Sequence, residues 1–228
     1  NAYFDKSLST RQSVTLPAVP WTNLAPAWAA RGVAILGGLI AVLCAWWVGR
    51  RMFPTLPTLA MAAAAIAGLN PQFLFTSITI SNDAWAAATC ALALALGVEV
   101  VVQERRPWTW LGVGAAVGLA ALAKYSGLLV GLPLGLLFLI YWRRQGTRAA
   151  LAALGFAALA FLLVAGWWFA RNWLLYGEII PFDRMAAVLP SMRRPEPYTW
   201  AHTLELAPCL FASFWGVFVA VIAPAGYL

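Results

Sequence analysis

The fold of this chain is decided by residues 81–106, SNDAWAAATCALALALGVEVVVQERR. Nineteen consecutive residues within it, 84–102, carry a single charge, that of Glu99. A helix needs about 20 mostly apolar residues to cross the hydrocarbon core of a membrane. Asn82 and Asp83 precede this run, and two arginines follow it. The stretch therefore predicts a transmembrane helix with a polar, acidic start and a basic end.

The composition of the whole chain agrees with this prediction. Of its 228 residues, 63% are hydrophobic and only 10% are charged, and the mean hydropathy is +0.79. Soluble domains average about 45–50% apolar and about 25% charged residues. A water-soluble surface cannot accommodate this surplus, which excludes a soluble enzyme, a nucleic-acid-binding module and a disordered chain. We therefore interpret the net charge of +7 as a sign of membrane topology.

Seven apolar stretches predict an all-α fold, a polytopic transmembrane helical bundle of about seven spans. The stretches are 30–49, 56–75, 84–102, 108–123, 126–142, 149–170 and 207–226. The fourth stretch ends at Ala123, and only Lys124 and Tyr125 separate it from the fifth, which predicts a tight antiparallel helical hairpin. The predicted transmembrane domain covers residues 30–228. Residues 1–29 before it are the tail of one outer loop, and a second outer loop lies within the domain, at about 171–206.

Basic residues are concentrated in three alternate connections between these stretches. They are Arg50, Arg51, Arg105, Arg106, Arg143, Arg144 and Arg148. Cytoplasmic loops of membrane proteins carry the excess of Lys and Arg, so we expect these connections in the cytoplasm. The opposite connections then face the periplasm, the cell exterior or an organelle lumen. Most of the 13 tryptophans fall at predicted helix ends, where indole rings prefer the headgroup level.

A helix break is predicted within the second apolar stretch, between Asn70 and Pro71. The residue before a proline disfavours helical geometry, so the helix should end there. Residues 72–82 then form an interfacial segment. Asn82 or Ser81 is placed to cap the helix that follows.

Polar and charged residues outside the basic connections gather at the predicted outer face. Ionisable groups at membrane depth are functional hypotheses by default. Asp83 either stabilises the start of its helix, beside the positive end of the helix dipole, or binds a substrate or metal. Lys124 either reaches a lipid phosphate or presents a point charge to the phosphate of a substrate. Arg171 and Asn172, flanked by aromatic residues, are a third candidate, for an anionic head group.

Six short motifs occur in order along the chain. They are GRRMFP at 49–54, NPQFLF at 70–75, SNDAW at 81–85, GLAALAKYSGLLVGLPL at 118–134, AGWWFARNWLLYGE at 165–178 and SFWG at 213–216. Through these motifs, the chain resembles the polyprenyl-phosphate-sugar-dependent glycosyltransferases of the GT-C fold. Among these enzymes it is similar to the bacterial protein mannosyltransferase and aminoarabinose transferase group.

This resemblance implies an inverting glycosyltransferase of a bacterial inner or plasma membrane, with its active site facing the periplasm or exterior. Such an enzyme takes a sugar from a polyprenyl-phosphate carrier and attaches it to a lipid, glycan or protein acceptor. Asp83 matches an acidic position near the family's active site, which implies a catalytic role. Lys124 and Arg171 match positions that face the carrier phosphate, with Asn82 beside them as a further substrate-binding residue.

The resemblance also bears on metals and on missing parts. Some members of this family use a divalent metal, Mg²⁺ or Mn²⁺, and Asp83 is the candidate ligand in this chain. The family carries another acidic residue in its first large outer loop, which would lie before Asn1. We therefore expect the chain to be part of a larger membrane protein and to be inactive by itself.

Two other functions stay open at this point. A polytopic transporter or flippase for a lipid-linked or anionic substrate is the main alternative, and a non-catalytic assembly subunit is the second. A transporter is expected to place polar groups near the bilayer midplane, in broken helices. This sequence instead keeps the centres of its apolar stretches free of charge and collects polar groups at one face. The pattern therefore favours chemistry at the membrane surface.

Overall fold

The computed structural model describes residues 25–188 and seven later positions, Thr199, Trp200, Leu204, Pro208, Phe211, Phe214 and Trp215. Within residues 25–188 the regular secondary structure is entirely helical, which confirms the predicted all-α class. These residues form α1 (Ala25–Met52), α2 (Pro57–Gly68), α3 (Pro71–Ile78), α4 (Asp83–Val102), α5 (Trp110–Ala123), α6 (Gly131–Phe161), α7 (Trp167–Tyr176) and α8 (Phe182–Val188). Short 3₁₀ and π-helical turns lie before α5, before α6 and between α6 and α7, at Pro107–Thr109, Tyr125–Val130 and Leu162–Gly166.

Helices α1 and α4 lie side by side and run in the same direction. Near their starts, Trp85 Nε1 donates a hydrogen bond of 3.1 Å to the Val33 carbonyl oxygen. Near their ends, Arg51 Nε lies 2.6 Å from Glu99 Oε2. Gly37 permits the contact between them, because a Cβ atom there would lie 3.1 Å from the backbone of α4. Small residues let helix backbones approach closely where lipid surrounds them.

Helices α2 and α3 return along α1 in the opposite direction. A Cβ atom on Gly49, near the end of α1, would lie 2.6 Å from the Cα atom of Ala60. A Cβ atom on Gly38, further back along α1, would lie 2.6 Å from Ser77 Oγ. At both contacts a glycine of α1 lies against a small residue of α2 or α3. The close packing of these helices on α1 therefore also depends on small residues.

The break between α2 and α3 lies where the sequence predicts it. Asn70 has extended backbone angles, φ −62° and ψ 122°, as expected for a residue before a proline. Its Oδ1 accepts a hydrogen bond of 2.9 Å from the Phe73 backbone N–H and so caps α3. The two helices are bent by 61° relative to each other. Helix α3 therefore occupies much of the segment that the sequence assigns to the interface.

The predicted antiparallel hairpin around Lys124 is confirmed. Lys124 ends α5 with extended backbone angles, φ −160° and ψ 136°. Gly127 then lies directly against α5, because a Cβ atom there would lie 2.5 Å from the Ala120 carbonyl oxygen. At the other end of the hairpin, Trp110 of α5 packs edge-on against Phe138 of α6, with ring centroids 5.4 Å apart.

Helix α6 contains a reversal of its own. Gly146 has φ 80° and ψ 169°, a conformation that interrupts the helix and that L side chains rarely adopt. We call residues 131–145 the first arm and residues 147–161 the second arm. The arms correspond to the fifth predicted stretch and to the start of the sixth.

The second arm runs along α5 in the same direction as α5. Gly114 of α5 touches it so closely that a Cβ atom there would overlap the Ala157 carbonyl oxygen. One turn further on, a Cβ atom on Gly118 would lie 3.4 Å from the Phe161 carbonyl oxygen. Since the first arm is antiparallel to α5, the two arms are antiparallel to each other. Both pack against the same helix.

This path divides the charged connections between two ends of the bundle. The Arg-rich end holds the α1–α2 and α4–α5 connections and the reversal within α6. There, Tyr141 Oη donates a hydrogen bond of 3.2 Å to the Arg105 carbonyl oxygen, and Arg144 Nη1 donates one of 3.4 Å to that of Val101. The Asp83 end holds the α3–α4 connection, Lys124 and α7. The two ends alternate along the chain, as the charge pattern predicts.

The number of membrane spans is a separate question from the fold class. Within the described residues, three helical segments are long and apolar enough to cross a membrane, namely Ala25–Met52, Asp83–Val102 and the interrupted run Tyr125–Tyr176. The bent pair α2 and α3 makes a fourth if it counts as one span, and Pro107–Ala123 is a shorter apolar helix. The predicted count of about seven spans is not confirmed and stays a prediction.

Three predicted boundaries concern the ends of the described region. Helix α1 begins at Ala25, five residues before the predicted span, and the residues of the predicted 1–29 tail that precede Ala25 lie outside the described part. Helix α7 continues to Tyr176, six residues into the predicted outer loop, and α8 lies further along it. The predicted seventh span is described at only four of its positions, Pro208, Phe211, Phe214 and Trp215.

The close contact at Gly114 leads us to predict how a substitution there changes the stability of the protein. We expect Gly114→Ala to destabilise the protein by about 1–3 kcal/mol, because the added methyl group meets backbone that cannot turn away. Gly155→Ala is the matched control, since a Cβ atom on Gly155 meets nothing within 4 Å. The midpoint of thermal unfolding in detergent, monitored by size-exclusion chromatography, is measured for both variants. A lower midpoint for Gly155→Ala than for Gly114→Ala contradicts the packing described above.

Candidate functional site

The candidate site is built around an ion pair between two helix ends. Asp83 is the first residue of α4, and Lys124 directly follows the last residue of α5. Lys124 Nζ lies 2.5 Å from Asp83 Oδ1, although the two residues are 41 positions apart in the sequence. Their side chains are 46% and 41% exposed, so both remain accessible to a ligand. The structure thus joins two of the predicted site residues.

The ion pair has more consequence for position than for stability. Exposed ion pairs contribute about 0–1 kcal/mol to folding. Asp83 also lies in the first turn of α4, where the helix dipole favours a negative charge. Part of the carboxylate surface stays open to a ligand. A carboxylate and an ammonium group side by side can act as a base and as a fixed positive charge.

Asn82 has a different role from the one its position predicts. It occupies the N-cap position of α4, but its side chain makes no capping hydrogen bond. Its Nδ2 instead donates a hydrogen bond of 2.6 Å to the carbonyl oxygen of Ala123, at the end of α5. The last carbonyl groups of a helix have no partner within that helix, and this one takes the amide of Asn82. Of the two predicted caps, Asn82 and Ser81, it is Ser81 whose Oγ accepts a hydrogen bond of 3.3 Å from the Asp83 backbone N–H.

The Asn82 bond and the ion pair act on the same two helix ends. Asn82 and Asp83 are neighbours at the start of α4, and Ala123 and Lys124 are neighbours at the end of α5. Each residue of the first pair contacts one residue of the second. The two contacts together restrict both the distance and the rotation between the helix ends, so Lys124 is directed toward Asp83.

Tyr125, which is not among the predicted site residues, connects α7 to this site. Its hydroxyl oxygen accepts hydrogen bonds of 3.0 Å from Trp168 Nε1 and 3.1 Å from Asn172 Nδ2. Asn172 is only 1% exposed, and its amide also donates to the Ile179 carbonyl oxygen over 3.3 Å. The sequence signal for this contact is Asn172, an amide side chain that lies among tryptophans on an apolar helix and is buried in the structure. Such a group needs a partner.

Arg171 lies at the same end of the bundle but outside the ion pair. It precedes Asn172 on α7, and its guanidinium carbon lies 5.3 Å from the ring centroid of Trp168. The side chain is exposed. Among the described contacts, none joins Arg171 to Asp83 or Lys124. The structure therefore brings Asn82, Asp83 and Lys124 together, and it places Arg171 at the same end of the bundle, on the helix that Tyr125 contacts.

Two further features border this end. A groove of about 470 Å³ lies between α1 and the start of α4, with Val33, Ser81, Asn82 and Trp85 among its lining residues. Asn70, at the break before α3, donates a hydrogen bond of 3.0 Å from Nδ2 to the Phe214 carbonyl oxygen. This hydrogen bond joins the NPQFLF and SFWG motifs, since Asn70 and Phe214 are 144 positions apart in the sequence.

The predicted divalent metal does not fit the described residues by themselves. Within the part of the chain that the structure describes, no group of three His, Cys, Asp or Glu side chains could hold a metal ion. Asp83 offers one carboxylate, and its Oδ1 already faces Lys124 Nζ. Mg²⁺ and Mn²⁺ prefer several oxygen ligands. Use of Mg²⁺ or Mn²⁺ therefore stays a prediction from the resemblance.

The hydrogen bonds of Tyr125 make a second stability prediction. We expect Tyr125→Phe to destabilise the protein by about 1–3 kcal/mol, because the Trp168 indole N–H and one N–H of the buried Asn172 amide lose their acceptor. Tyr176→Phe is the matched control, since Tyr176 is 40% exposed and its hydroxyl makes no hydrogen bond within the described region. Thermal unfolding of the two variants separates the outcomes. An equal effect of both substitutions would argue against the role of Tyr125.

Comparison with known proteins identifies one family. The sequence model of the dolichyl-phosphate-mannose-protein mannosyltransferases matches residues 23–178, which is more than half of the chain. The matched range contains all of the predicted site residues, Asn82, Asp83, Lys124 and Arg171. No curated protein and no solved structure matches the chain.

Proposed function

Since the chain belongs to the dolichyl-phosphate-mannose-protein mannosyltransferase family, and is thus a membrane glycosyltransferase, we propose that it transfers a sugar from a polyprenyl-phosphate carrier to an acceptor at the outer face of the membrane. The family's name refers to a lipid-phosphate-linked mannose and a protein acceptor. The observation that carries the proposal is the Asp83–Lys124 pair at one end of an apolar bundle. It supplies one acidic and one basic group where a membrane-bound donor would arrive.

In the proposed reaction, the oxygen of an acceptor hydroxyl forms a bond to the anomeric carbon of the sugar. The bond between that carbon and the carrier phosphate oxygen breaks, and the electron pair leaves with the phosphate. Asp83 takes the proton of the acceptor hydroxyl as general base. Attack from the face opposite the phosphate inverts the anomeric configuration. No step of this scheme requires a metal.

The cationic groups act on the leaving phosphate. We assign Lys124 Nζ to the phosphate oxygen on which negative charge develops, where a fixed positive charge lowers the barrier. Arg171 is assigned to the same phosphate from α7, because its exposed guanidinium lies at this end of the bundle. The amide nitrogen of Asn82 is engaged with Ala123, so its exposed carbonyl oxygen is the atom left to accept a hydrogen bond from the substrate.

A transporter or flippase for a lipid-linked substrate receives less support. Such a protein is expected to carry its polar site near the bilayer midplane. In the described residues, the salt bridges lie at the two ends of the bundle, with Asp83 and Lys124 at one and Arg51, Glu99 and Arg105 at the other. This placement favours chemistry on a substrate held at the membrane surface.

Substitutions in the full-length protein test the assigned roles. We expect Asp83→Asn to reduce sugar transfer from a polyprenyl-phosphate donor by about 10²–10⁴-fold, since the general base is lost. Lys124→Gln should reduce transfer by about 10²–10³-fold, since the leaving phosphate loses a cation. Glu104→Gln and Arg184→Gln are matched controls of equal charge change at exposed positions outside the site. Undiminished transfer by Asp83→Asn, with the protein correctly inserted, would refute the catalytic assignment.

The proposed outer-face location has its own test. In a full-length variant whose native cysteines are replaced by alanine, Ser126→Cys and Thr147→Cys place single thiols at exposed positions of the Asp83 end and the Arg-rich end. A membrane-impermeant maleimide added to intact cells should label Ser126→Cys, because it faces outward. Thr147→Cys should react only after the membrane is opened. The reverse pattern places the Asp83 end in the cytoplasm and contradicts the proposed orientation.

A further inference from the structure

An apolar groove lies between α5 and the two arms of α6. Its volume is about 470 Å³, and its walls are built from apolar side chains and glycines, with Trp110, Phe138 and Leu154 at one end. Gly131 and Gly135 of the first arm belong to its lining, and a Cβ atom on either would meet nothing within 4 Å. The glycines thus leave open a space that side chains would otherwise fill.

The size and chemistry of this groove suit a hydrocarbon chain. From Gly131 to Phe138 the first arm rises by about 10 Å, at about 1.5 Å per residue. That is about a third of the hydrocarbon core of a bilayer, which is about 30 Å thick. The groove therefore matches the part of one acyl chain that lies nearest to its head group. Its walls offer almost no polar surface, so a polar ligand would lose its hydration there.

Three arginines lie just beyond the Trp110 end of the groove, one in the connection before α5 and one on each arm of α6. Arg106 precedes Trp110 by four residues, Arg143 follows Phe138 by five, and Arg148 precedes Leu154 by six. Along the arms of α6, the separations of Arg143 and Arg148 correspond to about 7–9 Å. All three arginine side chains are exposed. A ligand whose apolar part fills the groove would present its polar part to these arginines.

The three arginines of this rim are free of acidic partners in the described region. Glu99 is engaged elsewhere, with Arg51 at 2.6 Å and Arg105 at 3.4 Å. Glu104 is exposed and makes no ion pair with the rim within the described residues. The rim therefore carries uncompensated positive charge, which favours an anionic partner.

We propose that this groove and its rim form a binding site for one anionic phospholipid of the surrounding bilayer. One acyl chain lies between α5 and the arms of α6, and the head-group phosphate lies against Arg106, Arg143 and Arg148. Guanidinium groups bind phosphate oxygens in a two-pronged geometry, which suits them to this role. Trp108 and Trp142, 56% and 44% exposed, lie at the same level, where indole rings prefer the head-group region.

The site lies at the Arg-rich end, opposite Asp83 and Lys124, and the inference does not depend on the proposed transferase reaction. A lipid bound there joins α5 to both arms of α6. It therefore stabilises the hairpin whose other end carries Lys124.

The chain-binding half of the proposal is tested with phosphatidylglycerol as the probe. The full-length protein is equilibrated in bilayer discs that contain equal parts of phosphatidylglycerol and phosphatidylcholine, and native mass spectrometry counts the lipids that stay bound. Gly135→Leu places a branched side chain in the open space of the groove and should lower phosphatidylglycerol retention by at least about fourfold, the effect of displacing one methylene group. Gly155→Leu is the matched control, because it also has open space but does not line the groove.

The head-group half is tested by removing charge from the rim. Arg143→Gln combined with Arg148→Gln should reduce the preference for phosphatidylglycerol over phosphatidylcholine by about fivefold for each arginine removed. Arg31 is an exposed arginine near the start of α1, at the opposite end of the bundle from the rim. Arg31→Gln should therefore leave that preference unchanged.

Two results would overturn the proposal. Equal retention of phosphatidylglycerol by Gly135→Leu and Gly155→Leu would show that the groove holds no lipid and is covered instead by another segment of the chain or by a second copy. Loss of lipid from Gly135→Leu without any change of preference in the double arginine variant would show that the rim does not select an anionic head group. In either case the catalytic assignments of Asp83 and Lys124 are unaffected, since their test measures sugar transfer.

Discussion

Close approach of helix backbones at small residues is the constraint on which the rest of this structure depends. Gly37 admits α4 to α1, Gly49 admits α2, and Gly114 admits the second arm of α6 to α5. Around a helix, lipid is as apolar as leucine, so helices associate through such packing rather than through burial from water. A larger side chain at any of these positions would separate two helices. Every longer-range contact of the bundle depends on their close spacing.

The candidate site is a consequence of this packing. Because α4 and α5 are adjacent and antiparallel, the start of one lies beside the end of the other, and Asp83 meets Lys124 at 2.5 Å. Asn82 reinforces the meeting through the last carbonyl group of α5. Tyr125 then connects the same turn to α7, where Arg171 lies. Three separate helices thus contribute to one end of the bundle, while the opposite end gathers arginines.

Several local features could be predicted because they depend only on neighbouring residues. Pro71 disfavours helical geometry at its predecessor, so the break at Asn70 could be predicted from two letters of sequence. The hairpin at Lys124 follows from two short apolar stretches with only Lys124 and Tyr125 between them. Of the two predicted caps, Ser81 rather than Asn82 accepts the hydrogen bond, because a carbonyl group of α5 competes with the first turn of α4 for the orientation of the Asn82 side chain. That competition has no trace near position 82 in the sequence.

The sequence by itself determined the helical class, the path between two ends and the charge of each end. Those properties follow from runs of apolar residues and from the charges that interrupt them, and both can be read along one dimension. Only the tertiary structure decided that Lys124 faces Asp83, that Tyr125 accepts two hydrogen bonds, and that a groove opens beside α5. The physical reason is that the central parts of α1, α4 and α5 are apolar on every side. A helix without a polar face carries no mark of which side meets its neighbour.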